Sequence, residues 1–529
     1  MVNFIIPLAA GWHRKKDKFL HIIQQHRITN NMNYKMTNRA LAFFSILFFL
    51  SASIHAQSSI EYDIVLTGGR VIDSETKLDT IKNVGIINNR IAQISSQPLK
   101  GKETLNVSGL VVAPGFIDLH VHGRGYKEQE YKLHDGVTTM LELEWGIEFL
   151  DKWYESRSSK SLINYGASVC WPFERFKALD KYKTALQELY QLALKGESSF
   201  DSLFSKIKVS YSDTLSPEQM NKTLRNIRNS LAEGAIGIGV PIGYLPVVKQ
   251  EEVFRLYQLA GELKALIFTH VREGGITAIQ QAIADAVLTG APLHIVHINS
   301  ASLGKIYFAT ELVQTAKNRG FDITTELYPY TAASTLLQSA VFNEGWQERL
   351  GINYGDLQWV ATGERLTKET FESYRKIGGI VIIHSMKPEW ISYGIAFPNT
   401  IIASDAMPYA PLAHPRTAGT YSRVLGKYVR EEKVLDLGTA IEKMTLLPAK
   451  RLESIAPMMR YKGRIQVGAD ADITIFNPNT VIDKATFEKG LAFSEGIEYV
   501  IVNGVFVLKN GKTVADVFPG QAVYGKYKN

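Results

Sequence analysis

The chain has 529 residues, 45% of them hydrophobic and 21% charged, a balance that excludes a disordered or fibrous protein and a length too great for one small core. The formal net charge is +7, yet residues 1–56 hold Arg14, Lys15, Lys16, Lys18, Arg27, Lys35 and Arg39 against Asp17 alone. The rest of the chain is close to neutral, so the basic balance gives no ground for a nucleic-acid partner.

Residues 1–56 are read as a leader. Lys35 and Arg39 precede the apolar run Ala40–Leu50, after which small and polar residues lead to Ala56. Such a run is too short to span a bilayer and suits the apolar core of a secretion signal. Cleavage after Ala56 is expected, with export to the periplasm or beyond and no stable membrane insertion afterwards. Ile54 departs from the small residue usual before a cut, and an uncleaved anchor is the competing reading. Met32 and Met36 are alternative translation starts. The chain has a single cysteine, Cys170, so no intrachain disulfide can form and a buried apolar role is expected for it.

Residues 61–112 hold short β-branched runs, Tyr62–Thr67, Arg70–Ile72, Val84–Ile87 and Arg90–Ile94, separated by Gly68-Gly69 and Asn88-Asn89 turns. The last 72 residues repeat this texture in Ala471–Phe476, Val500–Val502 and Gly504–Leu508, with Asn510-Gly511 as a hairpin turn. Between them, apolar runs such as Ala265–Thr269 and Gly379–Ile383 alternate with helical stretches such as Ser216–Glu233 and Glu251–Lys264. That alternation predicts a parallel α/β barrel or a doubly wound sheet. The expected organisation is a leader at 1–56, one β-domain built from 57–112 and 458–529, and an α/β domain at 113–457.

Four strand ends in the middle segment carry metal-binding side chains. Pro114-Gly-Phe-Ile-Asp-Leu-His-Val-His122 follows an apolar strand, and residues two apart on a strand share a face, so His120 and His122 can grip one ion. His270 ends the run Ala265–Thr269. In Leu293-His-Ile-Val-His297, strand parity allows one of His294 and His297 to face inward, and His297 is preferred because it is nearer the C-terminal mouth. Asp405 ends Ile401-Ile-Ala-Ser-Asp and can bind metal and take a proton from water. Any one of these has an ordinary structural explanation; four in succession, each after a separate apolar strand, are hard to explain that way.

In this order the residues resemble the amidohydrolase superfamily, and Lys462–Asp472 resembles that superfamily's return into its β-sandwich. Ser216-Pro-Glu with Gly234–Gly239, Tyr328-Pro-Tyr-Thr-Ala-Ala-Ser-Thr335 and His414-Pro-Arg-Thr-Ala-Gly-Thr-Tyr421 are similar to the D-aminoacylase branch, and Gly345–Arg365 resembles N-acyl-D-glutamate deacylases. The match runs from about residue 60 to the end.

The resemblance implies a TIM (β/α)8 barrel with a small β-sandwich domain made from both ends of the chain. It implies metal-dependent hydrolysis of the amide bond of N-acyl-D-amino acids, N-acyl-D-glutamate among them. His120, His122 and Asp405 would hold one metal position and His270 and His297 the other, with Asp405 as general base and then acid. Arg416 would grip the substrate carboxylate, with Tyr328, Tyr330 and Ser334 lining the pocket. Arg272, two residues past His270, is a candidate for a side-chain carboxylate, with a surface ion pair as the alternative. His384 is assigned a core or supporting place.

One position departs from the pattern. The branch carries a ligand cysteine where this chain has Trp145 in Gly136-Val-Thr-Thr-Met-Leu-Glu-Leu-Glu-Trp-Gly146. Glu142 and Glu144 share a parity; Glu144, nearer the mouth, is the first choice as ligand, with one of the pair as ligand and the other orienting a histidine as the alternative. Imidazole and carboxylate suit one or two divalent ions, zinc first, with manganese, iron or cobalt also compatible. Two other readings stand beside this one: a dipeptidase or cyclic amide hydrolase, and an inactive binding protein on the same fold. The only partner expected is a small-molecule substrate.

Overall fold

The computed structural model describes residues 61–197 and 199–528; the leader, and with it the expectation of a signal sequence, lies outside the described residues. Three sheets organise the described residues.

The first is a parallel sheet of eight strands in sequence order. We number them β1 (Phe116–Asp118), β2 (Val137–Ile147), β3 (Asn164–Cys170), β4 (Ile238–Pro241), β5 (Ile267–His270), β6 (Leu293–Ile295), β7 (Ile323–Leu327) and β8 (Thr400–Ile402). Every neighbouring pair is parallel, with helices between successive strands, as in a βα barrel. The ring closes just beyond the ends of β1 and β8, where His122 donates its amide to Ala406 O at 2.7 Å and Ala406 donates to His120 O at 3.3 Å. The strands are buried because helices cover them outside and side chains fill them inside, which is why they read as apolar runs. Two of the helices match the pattern read from the sequence, Pro217–Ala232, capped by Ser216, and Gln250–Leu263.

The second sheet joins both ends of the chain. Ile473–Phe476 runs antiparallel to Val111–Pro114, which pairs with the long strand Glu61–Asp73, giving nine strands in one sheet. The runs at 62–67 and 70–72 are one strand carrying a register shift between Leu66 and Gly69. Val71, Val84, Ile86, Ile473 and Ile501 form a core of their own beneath it. Asn510 and Gly511, both at positive φ, turn the last hairpin as expected.

The third sheet corrects the sequence reading. Ile380–Ile383 is not a barrel strand but the centre of a small antiparallel sheet with Ala333–Leu336 and Leu357–Trp359. It belongs to an insertion between β7 and β8 with its own core of Phe342, Trp346, Leu357, Trp359 and Phe371. An apolar run of four residues carries no record of its partner's direction, which explains the misreading. No described helix is long and apolar enough to cross a membrane.

Candidate metal centre

The C-terminal ends of the barrel strands converge on Glu144. One of its oxygens, Oε2, lies 3.0 Å from His120 Nε2 and 3.1 Å from His122 Nε2; the other, Oε1, lies 2.7 Å from His270 Nδ1 and 3.4 Å from His297 Nε2. Asp405 Oδ1 completes the first half at 3.4 Å from both His120 Nε2 and His122 Nε2. These atoms form two candidate ligand groups, His120–His122–Glu144–Asp405 and Glu144–His270–His297, with Glu144 common to both.

The surroundings fit a cation. His120 Nε2 and His122 Nε2 face each other at 3.2 Å, as do His270 Nδ1 and His297 Nε2 at 3.0 Å, an arrangement that brings lone pairs together. The other nitrogens of the first pair are already taken. His120 Nδ1 meets Glu326 Oε1 at 2.5 Å, and His122 Nδ1 meets both oxygens of Glu142 at 3.2 Å. Carboxylates on the far nitrogen fix ring and tautomer so that the near nitrogen faces the ion. Four buried carboxylates, Glu142, Glu144, Glu326 and Asp405, thus crowd one site whose guanidinium is Arg416.

The crowding shows in the acid–base balance. Burial disfavours the His120 imidazolium, but the charges of Asp405, Glu326 and Glu144 outweigh it and raise its pKa to about 10. Burial likewise opposes ionisation of Glu326, which His120 and His294 nevertheless hold down to about 2. Asp405 stays well below the usual carboxylate range despite burial, because Arg416 and His120 face it. A divalent ion supplies the positive charge this cage demands.

Local backbone places these groups. His297 and Asp405 both adopt positive φ, +32° and +52°, sparsely populated for residues with a side chain. The chain leaves β6 after Ile295, so the parity argument that admitted only one of His294 and His297 fails: both point inward. His294 lies deeper, its Nε2 3.1 Å from Glu326 Oε2 and its Nδ1 2.7 Å from Thr324 Oγ1. Glu326 therefore spans His120 and His294, a partnership the sequence reading missed although its position on β7 could have suggested it. Asp118 was missed as well. It accepts from Ser404 N at 3.0 Å and His120 N at 3.2 Å and pairs with Lys132 at 3.0 Å, tying the ends of β1 and β8 together. Gly243 leaves room for His270; a Cβ there would sit 2.4 Å from the imidazole Cδ2.

A cavity of about 270 Å³ opens on this cluster, lined by His122, Glu144, His270, His297 and Asp405. Ser334 and Thr335 of the insertion form part of its cover, and Tyr244 reaches across to Thr335 at 3.0 Å. Arg272 lines the cavity, and its Nε and Nη2 are buried without a hydrogen-bond partner.

Three expected cavity residues lie behind its wall. Tyr330 is buried with its hydroxyl donating to Asp483 at 3.3 Å and its ring beneath Arg423. Tyr328 and Arg416 are fully buried, the guanidinium stacked on the Tyr328 ring with 4.5 Å to the centroid. Arg416 Nη1 is 2.9 Å from Asp405 Oδ2 and Nη2 donates to Ser334 O at 3.2 Å. Its first task in this structure is holding Asp405. The ion pair spends Nη1 on Asp405, leaving Nε, with the Tyr328 hydroxyl, as buried polar groups without a hydrogen-bond partner. Trp145 packs on Phe200 and Tyr244. His384 meets Gln358 at 3.1 Å, and Cys170 is buried and free.

Known proteins agree with this geometry. Residues 285–508 match the pattern described as Amidohydrolase family. A D-aminoacylase of Alcaligenes xylosoxydans xylosoxydans is 29% identical over 465 residues, covering 84% of this chain and 94% of the relative. The chain is similar to the amidohydrolase family over these residues. An N-acyl-D-glutamate deacylase of the same organism is 28% identical, covering 84% of this chain and 93% of the relative. Among solved structures, the Bordetella bronchiseptica N-acyl-D-glutamate deacylase, complexed with zinc and a phosphonate inhibitor, superposes with a TM-score of 0.75 at 23% identity. It covers 88% of this chain and 100% of its own. A D-aminoacylase structure gives 0.70 at 23% identity with the same coverage. The fold of this chain is theirs, and its cluster is a candidate site for a divalent metal.

Proposed function

We propose that this amidohydrolase cleaves the amide bond of N-acyl-D-amino acids, with N-acyl-D-glutamate as the preferred substrate class and zinc as the metal. The observation that carries the reading is the set of unspent groups around Asp405. Nε of Arg416 and the Tyr328 hydroxyl, without partners behind the cavity wall beside Asp405, would receive an α-carboxylate once the wall at Ser334 gives way, and Arg272 offers a guanidinium at the cavity itself for a side-chain carboxylate. The names of the relatives supply the D-configuration and the glutamate.

When bound, a divalent ion would supply Lewis acidity toward a water molecule and the amide carbonyl. His120, His122, Glu144, His270 and His297 would hold it, with Glu326 and Glu142 orienting the first two. Asp405 Oδ1 takes a proton from the attacking water and returns it to the departing nitrogen as the carbon–nitrogen bond breaks, giving a carboxylate and a free amino acid. Arg416 keeps Asp405 ionised and aimed.

The test is a stereoselective assay on residues 57–529 with bound metal quantified. Amine release is followed from N-acetyl-D- and N-acetyl-L-glutamate beside neutral N-acetyl-D-amino acids. Metal-dependent turnover confined to D-forms, fastest with D-glutamate, is the expected result. Equal turnover of L-forms, or ring opening of cyclic amides without deacylation, overturns it. Export, with cleavage after Ala56, belongs to the same proposal and is read by fractionation and N-terminal sequencing of the mature protein.

A further inference from the structure

A second cavity, about 800 Å³, lies beside the first. Its lining includes Arg124, Lys152, Trp153, Arg157 and Leu194, and among the described residues it shares only His122 and Phe200 with the catalytic cavity. Phe200 begins the helix Phe200–Ile207. Its ring packs against His122 with 5.3 Å between centroids and against Trp145 with 5.4 Å. Tyr244 packs on the other side of Trp145 at 5.1 Å and on His270 at 4.8 Å. Trp145, Phe200 and Tyr244 therefore form an aromatic wall across the metal cluster, with Ile242 and no charged side chain among them.

A substrate with one amide has two ends to place. The charged end belongs with the guanidinium groups, and Arg416 sits on the side of Ser334 and Asp405. The other end faces the aromatic wall. We propose that Trp145, Phe200 and Tyr244 form the acyl pocket of this enzyme and that Phe200 is its end wall, limiting the acyl group to short apolar chains and closing the larger cavity behind. Trp145 then gains a function from the position where the branch carries cysteine: Glu144 takes up the liganding, and the indole shapes the acyl site. This inference rests on the deacylase reading.

The experiment compares metal-loaded wild type with Phe200→Ala and Phe200→Leu on N-acetyl-, N-butanoyl- and N-octanoyl-D-glutamate. Wild type is expected to lose at least about tenfold in kcat/KM from butanoyl to octanoyl, and removing the ring to raise the octanoyl-to-acetyl ratio by at least about tenfold, mainly through KM. Leucine preserves apolar packing if alanine unfolds the helix start, and Phe200→Trp should lower the ratio instead. Free octanoate should also inhibit the Phe200→Leu enzyme more strongly than wild type. A ratio unmoved within twofold in every variant, with octanoate inhibition unchanged, overturns the acyl-pocket assignment while leaving deacylation intact. Absence of turnover for all three substrates overturns the deacylase reading, and the pocket assignment with it.

Discussion

Replacing Glu326 with glutamine tests the design of the metal cage most sharply. The carboxylate is 1% exposed and holds His120 Nδ1 at 2.5 Å and His294 Nε2 at 3.1 Å. A glutamine of the same shape can still satisfy both rings. Its carbonyl accepts from the His120 Nδ1–H, and its amide donates to His294 Nε2 once that imidazole places its proton on Nδ1 toward Thr324 Oγ1, 2.7 Å away. What disappears is the negative charge that makes His120 Nε2 a better donor to an ion. Losing such a partner costs roughly 10–100-fold in metal affinity, equivalent to about 1.4–2.7 kcal/mol. Folding stability of the metal-free protein should fall less than in Glu326→Ala, because the charge facing His120 is lost but no buried polar atom is left alone. Glu326→Ala, which strands two buried imidazoles, should lower both. The assay is chelator competition for zinc and manganese on each variant, paired with denaturant unfolding of the apo-protein. Wild-type affinity within twofold in Glu326→Gln would refute the orienting role; equal stability losses in the two variants would refute the satisfied-glutamine argument.

Four further outcomes follow from the same structure. Asp405→Asn should lower kcat at least about 100-fold with a smaller change in KM, the size of a lost proton-transfer group, as read by steady-state kinetics. Gly243→Ala should push His270 aside and weaken one metal position, visible as a reduced metal-to-protein ratio at saturating ion with unchanged far-ultraviolet circular dichroism. Arg272→Met should raise KM for N-acyl-D-glutamate by roughly 10-fold or more while leaving neutral substrates nearly unaffected, since a charge-assisted hydrogen bond is worth about 1.5–3 kcal/mol. His134, buried against Phe493 with its pKa pushed down to about 4 by burial, binds fewer protons folded than unfolded. Its contribution is present above about pH 6.5 and is lost as the pH falls toward 4. Wild type should therefore lose stability over that window more steeply than His134→Gln, by up to about 1.4 kcal/mol per pH unit.

The barrel and the first ligands were legible because each obeys a local rule. His120 and His122 share a strand face, and His270 and Asp405 close apolar runs at the mouth. The structure places Glu144 beside four histidines and Glu142 against His122 Nδ1. What escaped lies in register and in chain direction. Glu326 meets His120 only because closure of the ring brings β7 to within one strand, β8, of β1, a relation no single strand displays. His297 reaches the site through a positive φ that strand parity cannot anticipate. The insertion's central strand looks like any buried strand until its antiparallel neighbours are seen. Phe200 begins a helix far from any liganding motif, and nothing near it in sequence marks it as a wall between cavities.

The insertion between β7 and β8 has a consequence for how this enzyme can diversify. Its strands hydrogen-bond to one another, and its apolar side chains fill a core of their own. The ligating atoms stand on the barrel, while part of the substrate cover stands on this separately packed piece. Mutations there can reshape what the cavity admits without disturbing the spacing of imidazoles and carboxylates below. New substrate preferences are thus reachable by small steps, each starting from a protein that still folds and keeps its candidate metal-binding cluster.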